Sequence, residues 1–233
     1  MKSNTLFRNG LVLLVLATAP LAQEAKKPQQ AKPTPAVAQA DFKLSISVTG
    51  LTTDNQAKAK ESLAGLSYQA FECASCKVEQ TTPGKCPECK GDLASTKKPL
   101  LAGIQPSAES GMVTLTVTPG HPTRLSEIEG ALKKNSIMID PEKFTITGRA
   151  MLVIRGGTAA DATTLEKALT EAKLFERVRA SFDEATSEIR IQVSEGSTPT
   201  TRTKVATTLA GSGSKIQLAD IVWGMGRKAE RPG

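Results

Sequence analysis

The chain has 233 residues, of which 39% are hydrophobic and 23% are charged, as in an ordinary soluble globular protein. This length allows one or two domains, and because aromatic residues make up only 3%, the core must be built mainly from Leu, Ile, Val and Ala. The formal net charge is +7. No stripe of Arg and Lys interleaved with aromatic residues accompanies that charge, so the sequence gives poor support for nucleic-acid binding.

Residues 1–22 have the pattern of a bacterial secretory signal peptide. Lys2 and Arg8 precede an apolar stretch from Leu11 to Ala22, which is too short to cross a bilayer core of about 30 Å as a helix. We expect cleavage after Ala22, with an uncleaved anchor as the alternative. The pattern predicts a periplasmic or secreted protein with no membrane span after cleavage.

Two further segments are expected to lie outside the folded part. Residues 23–40 mix Ala, Gln, Lys and Pro without apolar periodicity, which is typical of a disordered linker because such a segment buries too little surface to offset its ordering entropy. Residues 225–233 form a short basic tail with Arg227, Lys228 and Arg231.

Residues 41–147 predict the order β-α-β-β-α-β. Alternating apolar residues indicate strands, and apolar residues three or four apart indicate helices. Thr123 is expected to cap the second helix with its side chain, and the last strand is expected over 136–147, bent at Pro141. The apolar positions that carry the other elements are Phe42, Leu44, Ile46 and Val48; Ala59, Leu63 and Leu66; residues 104–108; Val113, Leu115 and Val117; and Leu125, Ile128 and Leu132.

Residues 148–224 predict the same order a second time. The expected elements are a strand over 151–155, a helix, two strands, a helix and a last strand over 215–223. Trp223 is expected to close the second core, or else to mark an exposed contact. The apolar positions between the first and last strands are Leu165, Leu169 and Ala172; Val178, Ala180 and Phe182; Ile189, Ile191 and Val193; and Val205 and Leu209.

The two copies predict an α+β protein with two ferredoxin-like domains, each an antiparallel four-stranded sheet with both helices on one face. Their pattern resembles the heavy-metal-associated domain family, the copper-carrying modules of metallochaperones and metal-pumping ATPases. The resemblance is carried by KLSISVTGLTTDNQAKAKESLAGL (43–66), AESGMVTLTVTPG (108–120), TRLSEIEGALKKNSIMI (123–139) and MLVIRGGTAADATTLEKALTEA (151–172). It implies the family fold for most of residues 41–224.

The resemblance does not extend to the copper loop of that family, which holds two cysteines just before the first helix. The corresponding positions are Thr52 and Asn55 in the first copy, and Thr158 and Asp161 in the second. None of these side chains supplies a soft thiolate to Cu(I). They are interpreted as helix caps.

All four cysteines lie in an insertion between the first helix and the second strand of the first copy, which we place at 68–97. Cys73 and Cys76 form one C-x2-C hook, Cys86 and Cys89 form a second, and nine residues separate the hooks. Two hooks can supply four tetrahedral thiolates at about 2.3 Å from one Zn²⁺. Pro83-Gly84 supplies the reversal between them. The sequence therefore predicts one structural zinc ion held by Cys73, Cys76, Cys86 and Cys89.

The run PGKCPECKGDL (83–93) resembles the short zinc-ribbon-like heavy-metal-binding module of exported efflux components and some metal pumps. That module has Met and His after its first cysteine, where this chain has Ala74-Ser75-Cys76, and Gly-Met after its last, where this chain has Lys90-Gly91. The change moves the site toward an all-thiolate, closed ribbon. Lys77, Lys85 and Lys90 compensate the charge of −2 that four thiolates and Zn²⁺ would carry.

Other chemistry has less support in the sequence. Because an exported chain meets an oxidising compartment, disulfides are an alternative to zinc, and a thiol–disulfide oxidoreductase is a third hypothesis, although neither hook is expected to begin a helix. His121, the only histidine, is interpreted as an exposed turn residue. No catalytic residue is predicted.

The leading hypothesis is an exported, non-enzymatic metal-binding protein, with a possible protein partner in metal handling or efflux in the cell envelope. The alternative is a protein-interaction module in which zinc is purely structural.

Overall fold

The computed structural model describes residues 42–212 and 216–224. The predicted signal peptide, the linker, the basic tail and Lys215 lie outside these residues. In chain order the elements are β1 (Phe42–Thr49), α1 (Gln56–Ala64), β2 (Ser67–Glu72), β3 (Glu79–Gln80), β4 (Ala94–Pro99), β5 (Leu101–Ser107), β6 (Met112–Val117), β7 (Thr123–Arg124), α2 (Leu125–Lys133), β8 (Met138–Ile139), β9 (Arg149–Arg155), α3 (Ala159–Glu171), β10 (Phe175–Asp183), β11 (Glu188–Glu195), α4 (Arg202–Ala210) and β12 (Gln217–Trp223).

The described residues form a mixed α/β protein with three antiparallel sheets and four helices. The first sheet has the strand order β5-β6-β1-β8. The predicted alternation in β1 and β6 is confirmed, because Leu44, Ile46 and Val48 are buried there together with the three valine and leucine positions of β6. Helix α1 buries Ala59 and Leu63 as expected, whereas Leu66 lies beyond its end.

The prediction of a strand over 136–147 is wrong in its length. Strand β8 contains only Met138 and Ile139. The chain then turns, because the side chain of Asp140 accepts hydrogen bonds from the N–H groups of Glu142 and Lys143 at 3.1 and 3.4 Å. This Asp-Pro turn ends the strand where the sequence suggested only a bend.

The second sheet has the order β10-β11-β9-β12-β7. Ile189, Ile191 and Val193 of β11 are buried as predicted, and so are Val205 and Leu209 of α4. Helix α3 begins with a capping box between Thr158 and Asp161, which confirms the expected caps there. It ends at Glu171, so Ala172 is exposed and Ala162 occupies the buried face instead.

Two other predicted caps differ from the structure. Asn55 is at the N-cap position of α1, but its side chain accepts from the N–H of Thr52 at 2.8 Å and makes no cap hydrogen bond to the helix. Thr123 does not cap α2: it is fully buried in β7, where it pairs with Trp223 of β12. The position before α2 is Arg124, whose side chain makes no cap hydrogen bond either.

The start of α2 is instead capped from β12. The carboxylate of Asp220 accepts hydrogen bonds from the N–H of Ser126 at 3.1 Å and from its hydroxyl at 2.8 Å. The guanidinium of Arg124 lies 3.4 Å from the same carboxylate. A buried acidic side chain distant in sequence thus satisfies a free N–H at the helix start, where negative charge is favoured.

One apolar core joins the first and second sheets with the helices. Trp223 is fully buried, which excludes the alternative of an exposed contact. Its ring meets Phe144 edge to face with centroids 6.0 Å apart, and its indole N–H donates to the carbonyl of Thr147 at 3.3 Å. Within residues 42–212 and 216–224, none of the helices meets the length and hydropathy that a membrane span needs.

The third sheet, β3-β2-β4, lies in sequence between α1 and β5 and carries the cysteine hooks. Strands β2 and β4 pair from Ser67 with Pro99 to Glu72 with Ala94. The paired strands end immediately before the first hook and shortly after the second. This pairing sets the distance between the two hooks.

Replacing Asp220 with Ala tests the cap supplied by β12. We expect the free energy of unfolding to fall by about 2 kcal/mol, because the start of α2 loses its charged acceptor. Urea unfolding followed by the fluorescence of Trp223 measures the change. Asp54→Ala, at an exposed carboxylate, is the control and should change stability by less than about 0.5 kcal/mol. Equal effects of the two changes would contradict the assigned role of Asp220.

Candidate metal centre

The two hooks have the same backbone hydrogen bonds. In the first, the N–H of Cys73 donates to Val78 and its carbonyl accepts from Lys77, both at 2.9 Å. In the second, the N–H of Cys86 donates to Gly91 at 2.8 Å and its carbonyl accepts from Lys90 at 2.9 Å. Each hook is therefore a closed turn that holds its own two sulfur atoms, and neither begins a helix, as expected.

The residue after the second cysteine of each hook has a left-handed backbone. Lys77 has φ = 58° and Lys90 has φ = 61°. This conformation costs a residue other than glycine about 1–2 kcal/mol. The turn reverses the chain there so that the next N–H and carbonyl groups close back on the first cysteine. The sequence predicts only a charge-compensating role for these lysines. The repeated motif C-x2-C-K is the signal that could have indicated their shared conformation.

The hooks bring all four predicted sulfur atoms together. The Sγ atoms of Cys73, Cys76, Cys86 and Cys89 lie within 4.8 Å of one another. The Sγ atoms of Cys73 and Cys89, one from each hook, are 3.5 Å apart, and all four cysteines are free of disulfides. Four thiolates 2.3 Å from one zinc ion would have sulfur atoms about 3.8 Å apart. The donor set and its spacing therefore fit a tetrahedral metal ion.

The cluster is buried on one side and open on the other. The first cysteine of each hook is buried, with Cys73 4% and Cys86 0% exposed. The second cysteine is more accessible, since Cys76 is half-buried and Cys89 is exposed. A metal ion held here would reach solvent past Cys89. The sequence predicted a coordination shell closed by four thiolates, and the exposure of Cys89 does not bear on that prediction.

The thiols do not ionise alike in the absence of a metal. The N–H of Cys76 and a hydrogen bond from Cys89 lower the pKa of Cys73 to about 7. The contact with Cys89 and burial raise the pKa of Cys76. Because negative charges on close sulfur atoms repel each other, one thiol ionises readily while a neighbour keeps its proton. A metal cation would remove this restriction and displace the remaining protons.

A polar cluster beside the metal centre was not predicted from the sequence. The ring of Tyr68 in β2 stacks on that of His121 with centroids 3.5 Å apart and planes inclined by 19°. The Tyr68 hydroxyl donates to Glu79 at 3.2 Å, and His121 Nε2 lies 3.7 Å from the same carboxylate. Lys98 forms ion pairs with both Glu79 and Glu72. The cluster ties the sheet that carries the hooks to the turn before β7.

His121 is therefore not the exposed turn residue that its Pro-Gly-His-Pro context indicated. Its side chain is only 14% exposed. It lines a surface cleft of about 510 Å³ together with Glu79, Gln80, Thr81, Thr82 and Gly120. No local sequence signal links His121 to Tyr68, because the contact joins residues far apart in the chain.

The chain was compared with protein-family models and with curated proteins. No protein-family model matches the chain, and no curated protein matches it.

Replacing Lys90 with Val tests the left-handed hook. A β-branched residue fits this conformation poorly, so we expect the apparent zinc affinity to fall about tenfold, corresponding to about 1.4 kcal/mol. Competition with a chromogenic zinc chelator measures the affinity. Lys85→Val removes the same charge from an exposed position that precedes Cys86 and should change the affinity by less than about twofold. Equal losses would show that charge, not backbone conformation, matters.

His121 gives a pH prediction. Burial lowers the pKa of His121 below its usual 6.5, although Glu79 opposes the shift. Because the unfolded chain binds this proton more readily, the native state should lose stability as the pH falls through about 6.5. The single histidine allows a direct NMR titration of its Cε1 proton. His121→Phe, which keeps a ring against Tyr68, should remove this part of the pH dependence of the urea midpoint. A measured pKa of 6.5 or higher would contradict the prediction.

Proposed function

We propose that the protein is an exported metal-binding protein that holds one zinc ion with Cys73, Cys76, Cys86 and Cys89 and acts in heavy-metal handling in the bacterial envelope. The observation that carries the proposal is the convergence of the four sulfur atoms within 4.8 Å, from two hooks with the same backbone hydrogen bonds. The signal-peptide pattern of residues 1–22 supports export to the periplasm or out of the cell. No residue is given a catalytic role in this proposal.

The strand orders support two ferredoxin-like domains, 41–147 and 148–224, with the zinc ribbon inserted in the first. If the strands of each half are numbered separately, and β7 and the inserted sheet are left aside, the order in both sheets is 2-3-1-4. All of these pairs are antiparallel. This arrangement matches the split β-α-β units of that fold. It is consistent with the resemblance to heavy-metal-associated domains.

Zinc fits the donor set because four thiolates are typical of its structural sites. Its four ligands would leave no open position for an activated water, so the proposed role is binding and not hydrolysis. The exposure of Cys89 favours a site that exchanges its metal over a purely structural site. This accessibility is the reason for preferring metal handling to the interaction module with structural zinc.

A thiol–disulfide oxidoreductase is the third candidate. The lowered pKa of Cys73, about 7, favours it. A redox pair usually places its nucleophilic thiolate at the start of a helix, whereas both hooks here lie in turns between strands. An insulin-reduction assay tests this candidate, and turnover above that of the Cys73→Ser variant would replace the metal-binding proposal.

Native mass spectrometry of the purified chain tests metal binding. We expect one zinc ion per chain, and no bound metal after combined Cys73→Ser and Cys86→Ser, because these changes remove the buried sulfur of each hook. Met112→Leu and Met138→Leu together provide a control at sulfur-containing side chains outside the cluster and should keep the metal. A metal-free protein with two disulfides in all molecules would overturn the proposal.

Single substitutions in the second hook distinguish a site that exchanges its metal from a purely structural zinc site. Cys86→Ser removes a buried ligand, whereas Cys89→Ser removes an exposed one whose place water can take. We expect Cys89→Ser to retain zinc with an affinity at least tenfold higher than that of Cys86→Ser. Titration against Cu(I) chelators completes the test, since copper affinity in the micromolar range or weaker would favour a structural zinc site.

A further inference from the structure

The outer face of the second sheet has a regular pattern of charge. Strand register places its residues in rows across β10, β11 and β9. The helix-facing side is apolar, whereas ten of the twelve outer positions are polar; the exceptions are Met151 and the buried Val153. The outer rows, in the order β10-β11-β9, are Arg177, Ser194 and Arg149; Arg179, Gln192 and Met151; Ser181, Arg190 and Val153; and Asp183, Glu188 and Arg155.

One end of this face is electrically compensated. Arg190 forms ion pairs with Asp183 at 2.8 Å and Glu188 at 3.8 Å. Arg155 lies 3.4 Å from Glu188. On neighbouring β12, Asp220 is already engaged by the start of α2. The acidic residues at this end are therefore occupied within the protein.

The opposite end is not compensated. Arg149, Arg177 and Arg179 are exposed, and none of them has an ion pair within residues 42–212 and 216–224. We call these three residues, with Gln192 and Ser194 between them, the basic corner. Of the nearby carboxylates, Glu195 accepts a hydrogen bond from the N–H of Gly148 at 2.7 Å.

The spacing within the basic corner suits an extended chain of carboxylates. Two strand spacings put Arg177 and Arg149 about 10 Å apart, and Arg177 and Arg179 are about 7 Å apart along β10. Alternate side chains of an extended peptide have the same separation of about 7 Å. The hydroxyl of Ser194, in the row between Arg177 and Arg149, is buried without a hydrogen-bond partner in the described structure.

We propose that the basic corner is a docking surface for an acidic segment of a partner protein. Arginine donates paired hydrogen bonds to carboxylates, and its rigid planar group loses less freedom on binding than lysine does. Gln192 adds an amide that can bind the backbone or side chains of the segment. The surface is separate from the cysteine hooks, so this inference does not depend on metal binding.

The composition of the face favours a protein partner over the other polyanions. Stacking of nucleobases requires aromatic side chains, and the outer rows contain none. Membrane binding requires apolar side chains that enter the lipid, and the basic corner contains none of them. The terminal segments of the chain are unsuitable occupants, because residues 1–41 and 225–233 each contain more basic than acidic residues.

The partner segment is expected to lie on the face and not to extend the sheet. Strand β10 is an edge strand, whose free N–H groups could pair with another strand. The carboxylate of Glu166 in α3 accepts a hydrogen bond from the N–H of Ala180 at 2.7 Å. This contact occupies the middle of the edge, so the arginine side chains remain the available binding groups.

Fluorescence anisotropy with a fluorescein-labelled decaglutamate peptide tests the proposal on the full chain. We expect saturable binding at about 50 mM salt that weakens steeply at 300 mM, because the contacts are between exposed charges. Arg177→Glu with Arg179→Glu should weaken binding at least tenfold. The matched control is Lys58→Glu with Lys60→Glu on the exposed face of α1, which changes the net charge equally and should alter binding less than twofold.

Several outcomes would overturn the proposal. They are equal losses in the two double variants, no binding of the peptide, and tighter arginine-dependent binding of a dT20 oligonucleotide or of phosphatidylglycerol vesicles. A dimer in sedimentation velocity that the arginine changes dissociate would assign the face to a second copy instead. The Cys73→Ser, Cys86→Ser variant separates this question from metal binding, and it should retain full peptide affinity.

Discussion

The hydrogen bonds between Asp220 and Ser126 join the two halves of the chain at a point where each half would otherwise have a polar group without a hydrogen-bond partner. Helix α2 lacks a local side-chain cap, and the last strand carries a buried carboxylate that needs donors. Asp220 supplies the cap that α2 lacks, and Ser126 supplies the donors that the buried carboxylate needs. The two residues are 94 positions apart in the chain. Strand β7 and the burial of Trp223 follow from the same arrangement, because they bring the connection before α2 beside β12. The predicted cores of the two halves therefore merge into one.

The elements that could be predicted from sequence are those whose own residues determine their position. The period-two pattern of β1 and the apolar face of α3 are local, and so are the capping box at Thr158 and the paired hooks. Two of the errors concern distant partners. Thr123 is a residue type that often caps helices, but it pairs with Trp223 of β12, and the carboxylate of Asp220 caps α2 instead. His121 had the context of an exposed turn, but its ring stacks on Tyr68 and is half-buried. The sequence pattern around these residues does not indicate such contacts.

The candidate metal centre combines a predictable donor set with a solvent accessibility that the sequence did not predict. The spacing of the cysteines was sufficient to expect four ligands. The difference in burial between Cys86 and Cys89 depends on what surrounds each turn, and it determines whether a bound ion can be reached from solvent. The hooks also require two lysines in a left-handed conformation. Cooperation between a bound metal and the backbone hydrogen bonds would offset this conformational cost.

The position of the inserted sheet has a consequence for the mechanics of the protein. The chain leaves the main body after Leu66 and returns at Leu100, where the N–H of Leu100 donates to the carbonyl of Leu66 at 2.9 Å. Because these two ends are already neighbours, the segment between them forms a side branch, and the body can close without it. Tension applied to the ends of the protein would pass through the hydrogen bond between Leu66 and Leu100 before it reached the cysteines.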